Sequence, residues 1–228
     1  MTKTRFIDKG LIKYQKAWDY QKELHENLLN QKKNENKETE QYLLFCEHPH
    51  VYTLGKSGQQ QNLLIPDEFL KKIDAEYIKT DRGGDITYHG PGQIVGYPIF
   101  DLESLNIGVR VYIEKMEAAI IQTLEYFNLH AGRLDGATGV WLKKEKGRKS
   151  VKICAIGVKI SRMISMHGFA LNVNTDLNYF NHINPCGFQD KGVTSMENEL
   201  GQKMNMDEVK SVLFENITKV FQLILTSN

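Results

Sequence analysis

The sequence lacks the features of a nucleic-acid-binding protein, a membrane protein or a secreted protein. Its 29 Lys and Arg residues are balanced by 28 Asp and Glu residues, so no excess of positive charge indicates a nucleic-acid partner. No apolar run reaches the roughly 20 residues that span a bilayer, and the opening stretch MTKTRFIDKG lacks the apolar segment of a secretory signal. We therefore expect a cytoplasmic protein that binds neither nucleic acid nor membrane.

Cysteine is also scarce. The chain has only Cys46, Cys154 and Cys186, which is an odd number without a C-x-x-C pair. This pattern fits neither a disulfide framework nor a structural zinc site. We expect free thiols in a reducing compartment and no bound metal.

Hydrophobic periodicity predicts the fold class. Apolar residues at helical spacing predict helices over residues 11–32 and 112–127 and a third helix after Asn205, a typical N-cap residue. Short apolar runs between them favour strands, and EKGRK would join GVWLKK and SVKICAIGVKIS into a hairpin. Because strands and helices do not alternate regularly, we expect one α+β domain over residues 1–228, with helices packed on a mixed, mostly antiparallel sheet.

The most unusual stretch is RGGDITYHGPGQIVGYPIF, from Arg82 to Phe100. It does not match a dinucleotide fingerprint, because the third glycine of G-x-G-x-x-G comes one place late and a strand-like run follows. It is not a P-loop either, because no Gly-Lys-Ser/Thr ending is present. Two interpretations remain open at this point. The stretch is either a glycine-rich turn between strands or the wall of a binding site, which a ligand can approach closely because glycine has no Cβ atom.

The three cysteines differ in their suitability as a nucleophile. Cys46 and Cys154 lie in apolar, strand-like runs that are typical of buried thiols. Cys186 lies in NPCGF, between a proline and a glycine, where a loop can present a thiol to a pocket. Because a free thiol has a pKa of about 8.5, a nucleophilic Cys186 needs a partner that lowers it. The candidate partners are His182, Lys191, Lys152, Lys159 and His167.

Lys152 lies in a run, SVKICAIGVKIS, whose apolar residues occupy both faces of the predicted strand. A lysine there either faces solvent at a sheet edge or enters the interior at a cost that other groups must offset. The strand pattern alone leaves both possibilities open.

Several segments together resemble the lipoyl(octanoyl) transferases, which transfer an octanoyl group from acyl carrier protein to a lipoyl domain. The matching segments, in the order of the family, are EHPHVYTLG, RGGDITYHGPGQIVGYPI, KICAIGVKI, HGFALNV and PCGF followed by TSM. The resemblance implies the catalytic core of the biotin and lipoate protein ligases, in agreement with the α+β prediction.

The resemblance also implies roles for individual residues. Cys186 would form an acyl thioester, and Lys152 would lower its pKa and shuttle protons. The substrate-binding residues would be Arg82, Gly83, Gly84, Asp85, Ile86, Thr87, Tyr88, His89, Ala155, Ile156, Gly157, Gly168, Phe169 and Ala170.

The implied reaction is the first step of endogenous protein lipoylation. Octanoyl-acyl carrier protein would be the donor, and the lipoyl domains of 2-oxoacid dehydrogenase complexes and the glycine cleavage H protein would be acceptors. This chemistry requires no cofactor or metal, and we expect a monomer. Two alternatives are an ATP-dependent lipoate or biotin protein ligase and a noncatalytic domain that binds acyl carrier protein.

One residue departs from the family pattern. Cys154 follows Lys152 by two positions, where a small apolar residue is expected. In a regular strand this spacing places both side chains on the same face. We interpret Cys154 as a packing residue, but the spacing predicts that its thiol could lie near the site.

Overall fold

The computed structural model describes residues 2–34, 39–142, 150–184 and 192–226. Its strands are β1 (Lys3–Leu11), β2 (Glu40–Glu47), β3 (Val51–Leu54), β4 (Glu76–Lys79), β5 (Ile86–His89), β6 (Gln93–Ile99), β7 (Gly132–Leu134), β8 (Ala137–Leu142), β9 (Val151–Ser161), β10 (Ile164–Asn172), β11 (Gly192–Val193) and β12 (Ile224–Leu225). Its α-helices are α1 (Tyr14–Lys33), α2 (Asp67–Lys72), α3 (Val109–Tyr126), α4 (Met196–Leu200) and α5 (Met206–Phe221). Short 3-10 turns span Gln60–Asn62 and Leu177–His182.

The described strands form a large sheet and a small one. The large sheet has the order β12-β1-β2-β6-β10-β9-β8-β7, and β11 also pairs with β9. From β2 to β7 all neighbours along this order are antiparallel, whereas β1 is parallel to both β2 and β12. The small sheet has the order β4-β3-β5. The predicted mixed, mostly antiparallel sheet with packed helices is confirmed.

Side chains that alternate along the central strands fill two cores. On one face of the large sheet, Phe45, Ile94 and Leu171 pack with the buried residues of α3 and α5. On the other face, Leu44 and Val95 pack with the buried residues of α1. This alternation is what a strand with a period of two dictates when helices cover both faces.

The elements match most of the sequence predictions. The helices predicted over residues 11–32 and 112–127 correspond to α1 and α3, and the Asn205 side chain accepts hydrogen bonds from the amides of Asp207 and Glu208 as the N-cap of α5. The predicted hairpin is confirmed by the antiparallel pairing of β8 and β9, while its turn EKGRK lies outside the described residues.

Five of the described strands were not predicted, and three of these, β7, β11 and β12, have only two or three residues. The other two are β1 and β5, and β5 lies inside the glycine-rich stretch. Within the described part of the chain, no helix is both long enough and apolar enough to cross a bilayer.

A buried histidine lies where the chain passes from β2 of the large sheet to β3 of the small sheet. His48, which lies between these strands, is completely buried. Its Nδ1 lies 2.7 Å from the Ile12 carbonyl oxygen, and its Nε2 lies 2.7 Å from the Tyr97 hydroxyl. Because a carbonyl oxygen can only accept, Nδ1 carries the proton and Nε2 accepts from Tyr97. Burial lowers the pKa of His48 to about 4, which is consistent with this neutral form.

The neutral state of His48 predicts that folding stability depends on pH. Its folded-state pKa is depressed below the ordinary value of 6.5, so the unfolded chain takes up a proton more readily. The stabilisation is complete above about pH 6.5, is lost progressively down to about pH 4, and amounts to about 2 kcal/mol less at pH 5 than at pH 7. Urea unfolding at both pH values should show a smaller difference in His48→Gln than in the wild type. The exposed His130→Gln is the matched control, and an unchanged pH dependence in His48→Gln would contradict a buried neutral His48.

Candidate active site

A cavity of about 830 Å³ lies between the two sheets. Its lining comes from β6, β10, β9 and β8 of the large sheet, from the glycine-rich stretch, and from the 3-10 turn Leu177–His182. The structure brings almost all described residues of the predicted site to this cavity. They are Lys152, Arg82, Gly83, Gly84, Asp85, Ile86, Thr87, His89, Ala155, Ile156, Gly157, Gly168, Phe169 and Ala170.

Tyr88 is the exception among the described residues. It is not part of the cavity lining, because its ring stacks on Tyr179 at a centroid distance of 4.8 Å. Its hydroxyl lies 2.7 Å from Nδ1 of His50. Tyr52 donates a hydrogen bond to the carbonyl of Tyr179. The Tyr88 side chain therefore packs the 3-10 turn against the small sheet, and the substrate-binding role predicted for Tyr88 stays a prediction.

The glycine-rich stretch forms one wall of the cavity and rests directly on β9. The Gly83 amide donates a 2.9 Å hydrogen bond to the Val158 carbonyl. A Cβ atom at Gly157 would lie only 2.9 Å from the Gly83 carbonyl oxygen, so only glycine permits this close approach. Arg82, which is buried, donates from Nη2 to the carbonyl of Thr53 in the small sheet at 2.6 Å. This wall thus joins the two sheets.

An ionic cluster holds the start of the same wall. Asp81 contacts Nε2 of His167 at 2.7 Å and Nζ of Lys159 at 2.6 Å. Burial alone would raise the pKa of Asp81, but the hydrogen bonds from Lys159 and His167 hold it below its usual value. Burial lowers the pKa of His167 to about 4 although Asp81 opposes this shift. Both Lys159 and His167, which the sequence suggested as partners of Cys186, are therefore engaged with Asp81.

The cavity floor consists of side chains that lie side by side across three strands. Val95 on β6 is opposite Ala170 on β10, and Ala170 is opposite Ala155 on β9. We call these three residues the floor row. Their side chains are small at β9 and β10 and larger at β6, so the floor is lowest beneath β9 and β10.

A polar pair borders the floor row on the side away from the glycine-rich wall. Gln93 donates a 2.8 Å hydrogen bond to Asn172, its register partner across β6 and β10. The Asn172 amide in turn donates to the carbonyl of Thr194, just after β11. His89 fixes the other end of the pair, with Nδ1 lying 2.8 Å from the Gln93 side-chain oxygen. The network ties β10 to the chain that follows the segment containing Cys186.

Lys152 lines the cavity beside Trp141, with its Nζ 4.7 Å from the ring centroid. The register between β8 and β9 shifts here, because Val140 pairs with Cys154 and the next residue, Trp141, pairs with Lys152. This irregularity interrupts the alternation of side chains between Lys152 and Cys154. Lys152 therefore faces the cavity.

Cys154 instead lies in the core beneath α3 and α5 and is completely buried. The expectation that it shares a face with Lys152 is wrong, and its interpretation as a packing residue is confirmed. Burial raises the pKa of the Cys154 thiol, and it also raises that of Cys46.

Cys186 and the Pro185 and Gly187 on either side of it lie outside the described residues. The nearest described residues on either side, Asn184 and Gly192, both line the cavity. Beyond Gly192, Val193 pairs with Lys152, and the Thr194 amide donates to the Lys152 carbonyl at 2.9 Å.

Sequence reasoning missed several residues of the cavity. Tyr14 and Tyr97 line it, and the Tyr14 ring stacks on His89 at a centroid distance of 5.7 Å. Tyr14 lies within the helix predicted over residues 11–32, but its contact with His89 of β5 depends on tertiary packing and leaves no local signal. Gln93 and Asn172 were within the quoted motifs, and their polar side chains in strands with buried faces were a signal that could have singled them out.

Comparison with known proteins assigns this architecture to a family. Residues 13–218 match the lipoyl protein ligase A/B catalytic domain. An octanoyltransferase of Cytophaga hutchinsonii is 51% identical over 223 residues, covering 95% of this chain and 91% of the relative. An octanoyltransferase of Parabacteroides distasonis is 52% identical over 221 residues, covering 97% and 100%.

Solved structures share the fold at low sequence identity. A lipoate protein ligase of Thermoplasma acidophilum has a TM-score of 0.71 and 14% identity, with 100% of this chain and 87% of that chain covered. A biotin protein ligase of Aquifex aeolicus has a TM-score of 0.50 and 11% identity, with 97% and 70% covered. The chain therefore belongs to the lipoyl protein ligase A/B catalytic domain family, where its relatives are octanoyltransferases, and it is an acyltransferase.

Proposed function

We propose that this acyltransferase moves an octanoyl group from octanoyl-acyl carrier protein to a lysine of a lipoyl domain, through a thioester on Cys186. The observation that carries the proposal is the pairing of β11 with β9. The chain leaves the segment containing Cys186 at Gly192 and immediately pairs beside Lys152, within the cavity lining. This arrangement supports a site in which the thiol and the amine act together.

The other thiols of the chain are unsuitable nucleophiles. Cys46 and Cys154 are at most 1% exposed, and burial raises the pKa of each. Because the thiolate is the reactive form, both are inert at neutral pH. Cys186 is the remaining cysteine of the three.

In the first step, the Cys186 thiolate attacks the thioester carbonyl of the donor. A new carbon–sulfur bond forms to Cys186, and the carbon–sulfur bond to the pantetheine group breaks. The Lys152 ammonium gives its proton to the departing pantetheine thiolate, which leaves Lys152 as a neutral amine. Octanoyl-Cys186 and the carrier thiol are the products, so one thioester replaces another at little energetic cost.

In the second step, a neutral lysine amine of the lipoyl domain attacks octanoyl-Cys186. The new carbon–nitrogen bond forms as the bond to sulfur breaks, and Cys186 leaves as a thiolate. The proton lost by the attacking nitrogen passes to Lys152. The Cys186 thiolate and the Lys152 ammonium with which the first step began are thereby restored. The balance requires no ATP, cofactor or metal, and a covalent intermediate lets donor and acceptor use one site in turn.

The described walls have complementary parts in this scheme. Arg82 to Thr87, with His89, provide a wall of backbone and few side chains, along which a thioester can lie. Ala155 and Ala170 provide an apolar floor, with Ile156, Gly157, Gly168 and Phe169 as its neighbours on the same strands. Acceptors would be lipoyl domains of 2-oxoacid dehydrogenase complexes and the glycine cleavage H protein, and the reaction would begin protein lipoylation in the cytoplasm.

An ATP-dependent ligase is the second candidate, because a lipoate protein ligase and a biotin protein ligase are among the solved structures that share this fold. The two functions differ in the species that carries the activated acyl group. A transferase uses a protein thioester and needs no nucleotide, whereas a ligase activates a free acid. Transfer from octanoyl-carrier protein without ATP distinguishes them.

We predict that Cys186→Ala abolishes acyl-enzyme formation and lowers transfer by on the order of 10³-fold or more, because the nucleophile is absent. Intact-protein mass spectrometry after incubation with octanoyl-carrier protein should show one octanoyl adduct on the wild type, which hydroxylamine removes, and none on Cys186→Ala. Cys154→Ala is the matched control and should still form the adduct. An octanoyl adduct on Cys186→Ala, or no adduct on the wild type, would refute the thioester mechanism.

We predict that Lys152→Arg lowers turnover by about 10²- to 10⁴-fold, the usual contribution of a general acid–base group. Arginine keeps the positive charge, but its guanidinium stays protonated and cannot exchange the proton. Steady-state transfer to a lipoyl domain measures the effect.

Lys159→Arg provides the matched control, since it lies on the same strand and can keep its ion pair with Asp81. Near-native turnover of Lys152→Arg would mean that Lys152 takes no part in proton transfer.

A further inference from the structure

The floor row runs across the strands, and described groups border it in both strand directions. On one side, the Gly83 carbonyl oxygen approaches Gly157 so closely that a Cβ there would lie 2.9 Å away. On the other side stands the hydrogen-bonded pair of Gln93 and Asn172. These two groups favour a path for a long apolar ligand that crosses from β9 over β10 toward β6.

The passage ends at β6. Val95 has the largest side chain of the floor row, and its register partner on the next strand is Cys46 of β2. Of the residues that the structure describes, none from β2 lines the cavity. Val95 thus separates the cavity from the thiol of Cys46 and from the core around it.

Tyr97 reinforces this end. It lines the cavity two residues after Val95, and its hydroxyl is held by His48 at 2.7 Å. His48 is itself fixed by the Ile12 carbonyl. The Tyr97 hydroxyl has a partner behind the wall, so the aromatic ring can contact an apolar ligand without leaving a buried polar group unsatisfied.

The length of the passage matches the length of an octanoyl chain. Neighbouring strands are about 4.8 Å apart, so the path from β9 across β10 to β6 is about 9.6 Å. An extended chain of eight carbons measures about 9 Å, given carbon–carbon bonds of about 1.5 Å. A chain that follows the floor row with its carbonyl above Ala155 on β9 would place its terminal methyl against β6.

We propose that Val95, backed by Tyr97, sets the maximum acyl-chain length that this enzyme accepts. This inference rests on the proposed octanoyl transfer and specifies the end of the acyl site. A chain two carbons longer on this path would meet the Val95 side chain. A smaller residue at position 95 opens the passage toward Cys46, and a larger one shortens it.

The test compares acyl-enzyme formation from hexanoyl-, octanoyl- and decanoyl-carrier proteins, measured as kcat/KM by intact-protein mass spectrometry. Val95→Ala should raise the decanoyl-to-octanoyl ratio about tenfold, and Val95→Ile should raise the hexanoyl-to-octanoyl ratio about tenfold, the size of effect expected for small changes in an apolar pocket. Ile94→Val is the matched control. It truncates the neighbouring residue, which faces the α3 and α5 core, and it should leave both ratios unchanged.

Val95→Ala and Val95→Ile change the side-chain size in opposite directions, so either variant can test the proposal if the other is unstable. Ratios within twofold of the wild type in the folded Val95 variants would overturn the assignment, and so would an equal shift in Ile94→Val. These outcomes presuppose that the wild type forms an octanoyl adduct. Absence of that adduct would instead refute the proposed function itself.

Discussion

The contact between the glycine-rich stretch and β9 is the constraint on which the rest of the site depends. It consists of the hydrogen bond from the Gly83 amide to the Val158 carbonyl, and it is possible only because Gly157 has no side chain. Asp81 secures the same stretch through His167 and Lys159. Arg82 connects it to Thr53 of the small sheet. Without this contact the glycine-rich wall of the cavity would not rest on β9.

This constraint separates binding from chemistry. The glycine-rich wall and the floor row can bury an alkyl chain, at about 0.8 kcal/mol per CH₂ group. The proposed reactive groups belong to other parts of the chain: Lys152 on β9, and Cys186 in the segment that precedes β11. Neither depends on the glycine-rich stretch for its position along the backbone. In the proposed reaction, the walls would hold the acyl group while the Lys152 amine and the Cys186 thiol act on its thioester bond.

Local sequence patterns were sufficient for much of the fold. The amphipathic periodicity of α1 and α3 and the N-cap of α5 could be predicted because they depend on neighbouring residues alone. The strand β1 was not predicted because most of its side chains are exposed, which leaves KTRFIDKGL without a clear apolar pattern. The strand β5 was not predicted because glycines lie on both sides of its four residues in the sequence.

For the candidate site, too, the sequence predicts which residues take part but not the contacts that depend on tertiary structure. Its motifs could be selected from the sequence, and the structure places nearly all of their described residues around one cavity. The separation of Lys152 from Cys154 could not be predicted, because the register shift that causes it depends on the pairing with β8. The position of Tyr88 depends on its stacking with Tyr179, which is distant in sequence.

The most direct test of this account is a crystal structure of the protein acylated by octanoyl-carrier protein in the absence of an acceptor domain. The account predicts a thioester on Cys186, with the alkyl chain over Ala155 and Ala170 and its terminal methyl beside Val95. It would be contradicted by a chain that lies beyond the Gly83–Gly157 contact, or by a thioester on Cys46 or Cys154.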